Sequence, residues 1–192
     1  MKLVDKQDVI DLIHKDEWMM SLLRSVRTLD LPDWWICAGF VRSKIWDTLH
    51  MFEERTVLPD VDVIYFSKKN RNETEEKQLE KILHDMMPTI PWSVKNQARM
   101  HIRNNLDPYS SAVDAIEKFP ETVTALGVQL DKEDQVHLTA PHGVEDVINM
   151  IVHPTPFFKK TEALMDIYLE RIRAKNWHKY WYLVRYADDE SI

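Results

Sequence analysis

The stretch AGFVRSKIW at residues 38–46, followed by LPDVDVIYF at residues 58–66, sets the order of the central elements. An apolar WIC segment before Gly39 is typical of a short buried strand. Apolar residues then recur at every fourth position from Val41 to Leu49, which predicts a helix directly after the glycine. The β-branched and aromatic residues of VDVIYF predict the next strand. The order is therefore strand, glycine turn, helix, strand.

Asp60 and Asp62 stand at the start of the second of these strands, one residue apart. Residues i and i+2 of a strand point to the same face, so the two carboxylates project together, roughly 6–7 Å apart at Cα. Carboxylates at that separation raise each other's pKa unless a cation lies between them. Together with substrate phosphates and water, they are the ligands that Mg²⁺ takes. From these residues alone, a solvated strand end and a metal site both remain open.

Glycine is scarce in this chain, and one of its three glycines lies at the turn between the first strand and the helix. The three are Gly39, Gly127 and Gly143, and their spacing excludes a Rossmann or Walker A loop. At Gly39, the free N–H groups of the helix start and the helix dipole form a site for an anion. Arg42 and Ser43 add a positive charge and a hydroxyl in the first turn. A phosphate cradle followed one strand later by a carboxylate pair is the arrangement that nucleotidyl transfer requires.

Composition and charge place the chain among ordered proteins of a reducing compartment. Of its 192 residues 44% are apolar, and no apolar run reaches the roughly 20 residues of a membrane span. We expect a cytoplasmic location, because no secretory signal is visible and the single cysteine, Cys37, excludes a disulfide framework. The net charge of −7 repels a phosphate backbone, which makes nucleic acid an unexpected partner.

The rest of the chain predicts an α+β fold. Further helical patterns occur at 5–28, 70–87, 111–118, 143–152 and 161–175. Two strand patterns at 122–130 and 136–140, separated by a polar turn, predict a hairpin. The segment 92–103 begins as a strand, and its periodicity does not decide between strand and helix thereafter. We expect a small mixed β-sheet with helices on one side of it.

Several segments together resemble the nucleotidyltransferase superfamily that includes DNA polymerase β and the CCA-adding enzymes. The head domain of the latter carries Gly-Gly-x-Val-Arg-Asp and then Asp-x-Asp, where this chain has AGFVRS and then DVD. More narrowly, AGFVRSKIWDTLH, DVDVIYF, WSVKNQARMH, PETVTA and APHGVEDV resemble a family of bacterial nucleotidyltransferase-like proteins of little-known function. The resemblance implies a single domain of the CCA-adding head type over 1–192. Its core would be 33–156, with N-terminal helices at 1–30 and a C-terminal helical extension at 157–192.

The resemblance also implies an activity: magnesium-dependent transfer of a nucleoside monophosphate from a nucleoside triphosphate to an unidentified hydroxyl acceptor. Asp60 and Asp62 would be catalytic and hold Mg²⁺ or Mn²⁺. The residues implied in nucleotide binding are Gly39, Arg42, Ser43, Lys95, Asn96 and Arg99. The alternative is a catalytically inactive nucleotide-binding module with a regulatory or interaction role.

The chain departs from the superfamily pattern at three places. Ala38 replaces the first glycine, Ser43 replaces the acid after the arginine, and WSVKNQARM contains no third carboxylate. Glu121 is the substitute that we expect for that carboxylate. The polar set Lys95, Asn96 and Arg99 is also consistent with an exposed strand without a binding role.

The C-terminal segment 171–186 interleaves cations with aromatic residues. Such a segment can stack on single-stranded RNA, or it can form a helix that packs its aromatic side chains onto the sheet. Only about 35 residues follow the last family motif, too few for a further independent RNA-gripping domain. A small molecule or a protein side chain is therefore the expected acceptor rather than transfer RNA.

Overall fold

The computed structural model describes residues 2–103 and 106–187, and its centre is a five-stranded sheet. The strands are β1 (Trp35–Cys37), β2 (Val61–Tyr65), β3 (Trp92–Asn96), β4 (Gly127–Leu130) and β5 (Val136–Thr139). Their spatial order is β3-β2-β1-β4-β5. The β2–β3 pair is parallel and the other neighbours are antiparallel. The predicted small mixed sheet and the β4–β5 hairpin are confirmed.

Five of the eight α-helices in the described residues start where a side chain of the preceding residue caps them. The eight helices are α1 (Lys6–His14), α2 (Glu17–Arg27), α3 (Gly39–Leu49), α4 (Glu73–Met86), α5 (Gln97–Arg103), α6 (Ala112–Glu117), α7 (Glu145–Asn149) and α8 (Glu162–Lys175). Side-chain oxygens of Asp5, Asp16, Asn72, Ser111 and Thr161 accept backbone N–H groups at the starts of α1, α2, α4, α6 and α8. Each such cap stabilises its helix by about 1 kcal/mol. No helix of the described residues is long and apolar enough to cross a membrane.

The helix predicted over 143–152 is shorter than expected, because a left-handed residue ends it early. Met150, at φ 56° and ψ 39°, ends α7, and the chain continues as β6 (Ile151–Val152). Strand β6 pairs in parallel with β7 (Arg185–Tyr186). Helix α8 ends at Lys175 as predicted, and Asn176 follows it at φ 42°. The aromatic tail, for which a helix was one of two interpretations, then forms a single 3₁₀ turn (Trp177–Lys179). The aromatic tail is therefore compact but not helical.

The prediction that the helices lie on one side of the sheet is also wrong. The larger core includes Ile36 of β1 and Val63 of β2 and is covered by α1, α2 and α3. Cys37 of β1 faces the other side, where it packs with Ala112 and Ile116 of α6. A short strand that is apolar throughout is buried on both faces, and the second face needs its own helix.

The edge strand β3 is closed by two glutamates of α4. The N–H of Val94 donates to Glu80 Oε1 and the N–H of Asn96 donates to Glu76 Oε1, each at 3.0 Å. Residues i and i+4 of a helix and i and i+2 of a strand both advance by about 6–7 Å, so the two carboxylates match the two amides. Strand β3 is thereby fixed beside β2, which carries Asp62.

Candidate active site

The turn between β1 and α3 has a backbone conformation that favours glycine, although an alanine occupies it. Ala38 has φ 53° and ψ −114°. Its N–H donates to the Leu126 carbonyl at 3.0 Å, and its own carbonyl accepts the Arg42 N–H at 3.0 Å. A side chain is strained at such angles, at a cost of about 1–3 kcal/mol. The neighbouring contacts hold the turn in place despite that cost.

We expect Ala38→Gly to raise the free energy of unfolding by about 1 kcal/mol. Relief of backbone strain outweighs the extra entropy that glycine has in the unfolded chain, about 0.5–1 kcal/mol. Urea unfolding followed by tryptophan fluorescence measures the change. Ala98→Gly, at a buried position of α5 with ordinary helical angles, is the matched control and should lower stability. An equal loss of unfolding free energy in Ala38→Gly and Ala98→Gly would contradict the proposed backbone strain at Ala38.

Arg42 lies in a cage of aromatic rings at the start of α3. Its guanidinium carbon is 5.2 Å from the ring centre of Trp46, 4.5 Å from that of Trp177 and 5.5 Å from that of Trp181. The residue is 8% exposed. The cage explains why the tail folds back onto α3, because each ring face attracts the cation.

The hydrogen-bond donors of Arg42 are only partly satisfied. Nη2 donates to Ser43 Oγ at 3.3 Å, and Nε has no partner among the described residues. Burial lowers the pKa of Arg42 to about 10, and the charges of Glu121, Asp60 and Asp47 act against that shift. Arg42 is therefore charged at neutral pH, and a buried charged group with an unmet donor calls for an anionic partner.

A cavity of about 480 Å³, which we call the first cavity, opens beside Arg42 and Ser43. It extends to Pro59, the residue before Asp60, and to Lys175 at the end of α8. Tyr180 borders it and is 56% exposed. Lys175 forms no ion pair with the described residues. Two cations without carboxylate partners and a set of aromatic rings thus face one cavity.

Asp60 and Asp62 lie together at the start of β2, as predicted. Asp60 is exposed, and Asp62 is partly buried in register with Ser93 of β3. Burial and, after it, the charge of Asp60 raise the pKa of Asp62 to about 6. A hydrogen bond from Ser93 and the charges of Arg171 and Lys175 lower it. The two carboxylates repel each other, and two cations of α8 offset part of that repulsion at Asp62.

The raised pKa of Asp62, caused by burial and by the charge of Asp60, predicts a pH dependence of the metal-free protein. The folded pKa of Asp62, about 6, lies above its ordinary value of 3.8, so the folded state binds the proton more tightly than the unfolded state. Stability is then lost as pH rises from about 4 through 6, and stays lost above that range. Asp62→Asn should be more stable than the parent protein by about 3 kcal/mol at high pH and equally stable at low pH. Denaturant unfolding in chelator-containing buffers tests this, and a difference that does not change with pH would contradict it.

A second cavity, of about 510 Å³, lies over β2 and β3. Asp62 and three cations (Lys95, Lys118 and Arg171) line it. The rest of its wall is mainly aromatic and aliphatic side chains from α8 and the loops before it. Of the predicted nucleotide-binding residues after β2, Lys95 alone lines this cavity or the first one.

Asn96 and Arg99 are engaged by the fold itself. The Asn96 Oδ1 accepts the Ser67 and Ala98 N–H groups, and its Nδ2 donates to the Ser67 and Asn70 carbonyls. Arg99 pairs with Glu76 through Nε at 3.1 Å and Nη2 at 2.7 Å. Both side chains, which we expect to bind nucleotide, therefore have protein partners in the structure.

Glu121 is fully buried and holds Arg171 of α8. Its Oε1 accepts Arg171 Nε at 2.5 Å, and its Oε2 accepts Thr124 Oγ1 at 2.6 Å. Within residues 2–103 and 106–187, no three His, Cys, Asp or Glu side chains are grouped as a metal site. An arginine and a hydroxyl therefore engage both oxygens of Glu121, the residue that we expect as the third carboxylate.

Sequence reasoning did not assign Arg171 and Lys175 to this site. Both residues belong to the basic segment 171–186, for which RNA binding is one interpretation. They are four residues apart, which places them on one face of α8. The four-residue spacing of Arg171 and Lys175 indicates that the two cations can act on the same group. It does not say which group, because the group on which both charges act, Asp62, lies more than 100 residues away in the sequence.

Comparisons with known proteins agree with this architecture. A family model described as nucleotidyltransferase matches residues 24–185. A protein whose NMR structure reveals a CCA-adding enzyme head domain is 36% identical, with a TM-score of 0.85 and 95% of each chain covered. CCA-adding enzymes solved with ATP and with CTP are 12% and 13% identical, with TM-scores of 0.58 and 0.55. No curated protein matches the chain in sequence.

The two enzyme complexes share the fold alone with this chain, because their identity is low. Almost all of this chain, 99%, aligns with them, but it spans only 45% and 44% of their lengths. The match to the head-domain protein, in contrast, extends over both chains. This chain therefore belongs to the nucleotidyltransferase family and has the fold of a CCA-adding enzyme head domain.

Proposed function

We propose that this protein transfers a nucleoside monophosphate from a nucleoside triphosphate to an acceptor hydroxyl. The observation that carries the proposal is the buried Arg42, charged and with an unpartnered Nε, beside the glycine turn and the first cavity. Leaving such a donor unmet in the interior costs about 1–3 kcal/mol, and a phosphate oxygen would satisfy it. The family membership supports the same reaction class.

The triphosphate would bind where α3 begins. Gly39 leaves open the space above its Cα, since an added Cβ would meet only Arg42 Nη2, at 3.6 Å. The free N–H groups at the start of α3 and the Ser43 hydroxyl supply further donors. Lys175 would meet the same ligand from α8 across the first cavity.

Asp60 and Asp62 fit a hard divalent cation such as Mg²⁺ or Mn²⁺. They offer carboxylate oxygens, and a cation between them would relieve the repulsion that raises the pKa of Asp62. When bound, the metal would neutralise the charge that develops on the reacting phosphate. Two carboxylates leave coordination positions for triphosphate oxygens and water.

In the reaction, the acceptor oxygen forms a bond to the α-phosphorus as the bond to the bridging oxygen of the β-phosphate breaks. Pyrophosphate leaves with the electron pair, and the hydroxyl proton is released to water. Arg42 and Lys175 would stabilise the charge of the leaving pyrophosphate. Asp60 and Asp62 would hold the cation beside the α-phosphate.

A second candidate is a nucleotide-binding module without transfer activity. It is favoured by the absence, among the described residues, of a third carboxylate grouped with the first two. Both candidates bind triphosphate, so a binding measurement does not distinguish them. Transfer of a labelled phosphate to a product distinguishes them.

The experiment supplies the purified protein with Mg²⁺, a cell extract as the source of acceptor, and triphosphates labelled at either the α- or the γ-phosphate. Nucleotidyl transfer moves the α-label to a new product and releases the γ-label in pyrophosphate. Transfer of γ-label would indicate a kinase reaction. Triphosphate binding without movement of either label would establish the binding module.

Gly39→Val should weaken Mg²⁺–ATP binding by roughly tenfold. A branched side chain would press on the Arg42 guanidinium and occupy the space above the amides, which removes a charge-assisted contact of about 1.5–3 kcal/mol. Isothermal titration measures the dissociation constant. Gly39→Ala is the control for folding. Its Cβ would make an ordinary contact with Arg42 Nη2, so this variant should lose less affinity for Mg²⁺–ATP than the valine variant. Unchanged affinity in the folded valine variant would place the phosphates elsewhere.

A further inference from the structure

We infer that the second cavity is the acceptor site and that it takes a small organic anion carrying a hydroxyl group. The inference rests on the proposed function, because it needs a triphosphate in the first cavity. It adds to that function the chemical class of the acceptor.

The positions of the two cavities fit opposite sides of one reacting phosphate. The first cavity extends to Pro59 and Lys175, and the second to Asp62 and Arg171. Arg171 and Lys175 are one turn apart on α8, and both act on the Asp62 carboxylate. An in-line displacement needs the attacking oxygen opposite the leaving pyrophosphate. With pyrophosphate beside Arg42 in the first cavity, the hydroxyl comes from the second.

The charges of the second cavity select an anion. Three cations face it against the one carboxylate of Asp62. Each cation is held by a carboxylate outside the cavity lining: Lys95 by Glu80 at 3.4 Å, Lys118 by Asp114 at 2.6 Å, and Arg171 by Glu121 at 2.5 Å. Arg171 uses only Nε in its pair, so its terminal nitrogens can still donate. The paired carboxylates fix the cations in place and leave donors for a ligand.

The other residues that line the second cavity are mainly apolar, so they favour a ligand with an aromatic or aliphatic part. Phe119, Phe157 and Ile167 are among them, and Ile167 is 52% exposed on the side of α8 that meets the cavity. A volume of about 510 Å³ lies in the range of sites for small molecules. A hydroxyl-bearing carboxylate or phosphate ester with an aromatic or aliphatic body matches both properties.

The test uses α-labelled ATP, CTP, GTP and UTP with Mg²⁺ and an ultrafiltrate of cell extract that excludes macromolecules. The filtrate is divided on an anion-exchange resin into retained and unretained fractions. We expect labelled product from the retained fraction alone. Product from the unretained fraction, or only from the macromolecules above the filter, would overturn the acceptor inference and leave the proposed function standing. No transfer with any fraction would overturn both.

Two variants tie the result to the second cavity. Ile167→Trp fills the cavity and should abolish transfer while the dissociation constant for Mg²⁺–ATP is unchanged. Ile82→Trp, at a 44% exposed position of α4, is the control and should transfer normally. Lys118→Gln should raise the KM for the retained fraction roughly tenfold. Lys81→Gln, which removes the lysine of the i, i+4 pair with Asp85 on α4, is the control and should leave that KM unchanged. Full transfer by Ile167→Trp would refute the assignment of this cavity.

Discussion

Changing both Asp60 and Asp62 to asparagine is expected to reduce the transfer rate by at least about 10³-fold. Neutral amides bind a hard divalent cation weakly, and the charge stabilisation that such a cation gives to the reacting phosphate is worth several kcal/mol. Each 1.4 kcal/mol lost from the transition state lowers the rate tenfold. A rate assay with α-labelled triphosphate measures this loss.

The same double variant should lose the stabilisation that Mg²⁺ and triphosphate give together. A ligand that binds only the folded state raises the melting temperature by mass action, and that gain disappears with the site. Without metal, the variant should melt above the parent protein, because the repulsion at Asp62 is gone. Asp85→Asn combined with Asp107→Asn, at two exposed positions, is the matched control. A metal-dependent shift that survives in the Asp60 and Asp62 variant would falsify the metal assignment.

The parts of the fold that the sequence predicted are those set by local pattern. The β1–turn–α3–β2 order follows from apolar spacing and the strand propensity of Val61–Tyr65, and these agree with the tertiary contacts. Strand β6 was missed because its two residues continue an apolar helical pattern. A left-handed residue, Met150, interrupts that pattern, and methionine is not a residue that signals such a turn.

The parts of the site that the sequence did not predict depend on contacts between distant segments. Arg42 was expected to bind phosphate, but its aromatic cage is assembled from α3 and the tail. Asn96 and Arg99 form the same polar pattern whether they face a nucleotide or a buried carboxylate. The deciding partner of Arg99, Glu76, lies on another helix.

A variant of Glu76 tests whether Asn96 and Arg99 have a structural role. We expect Glu76→Ala to lower the free energy of unfolding by about 3 kcal/mol, because Glu76 is fully buried and its removal leaves Arg99 with the exposed Glu73, 3.7 Å away, as its counter-ion. Arg99 loses both of its strong contacts, and the Asn96 N–H at the sheet edge loses its acceptor. Denaturant unfolding measures the loss. Glu73→Ala, at a position with a 59% exposed side chain on the same helix, should change stability little.

The binding of triphosphate to the same variant separates the two roles of Arg99. If Arg99 and Asn96 serve the fold, the folded fraction of Glu76→Ala should bind Mg²⁺–ATP as the parent protein does, since Arg42 and the glycine turn are untouched. If they bind nucleotide, freeing Arg99 from Glu76 should change the affinity strongly while stability changes little. Arg99→Lys gives an independent reading. It keeps the charge but loses the two-pronged contact with Glu76, so it should lower stability and leave the dissociation constant unchanged.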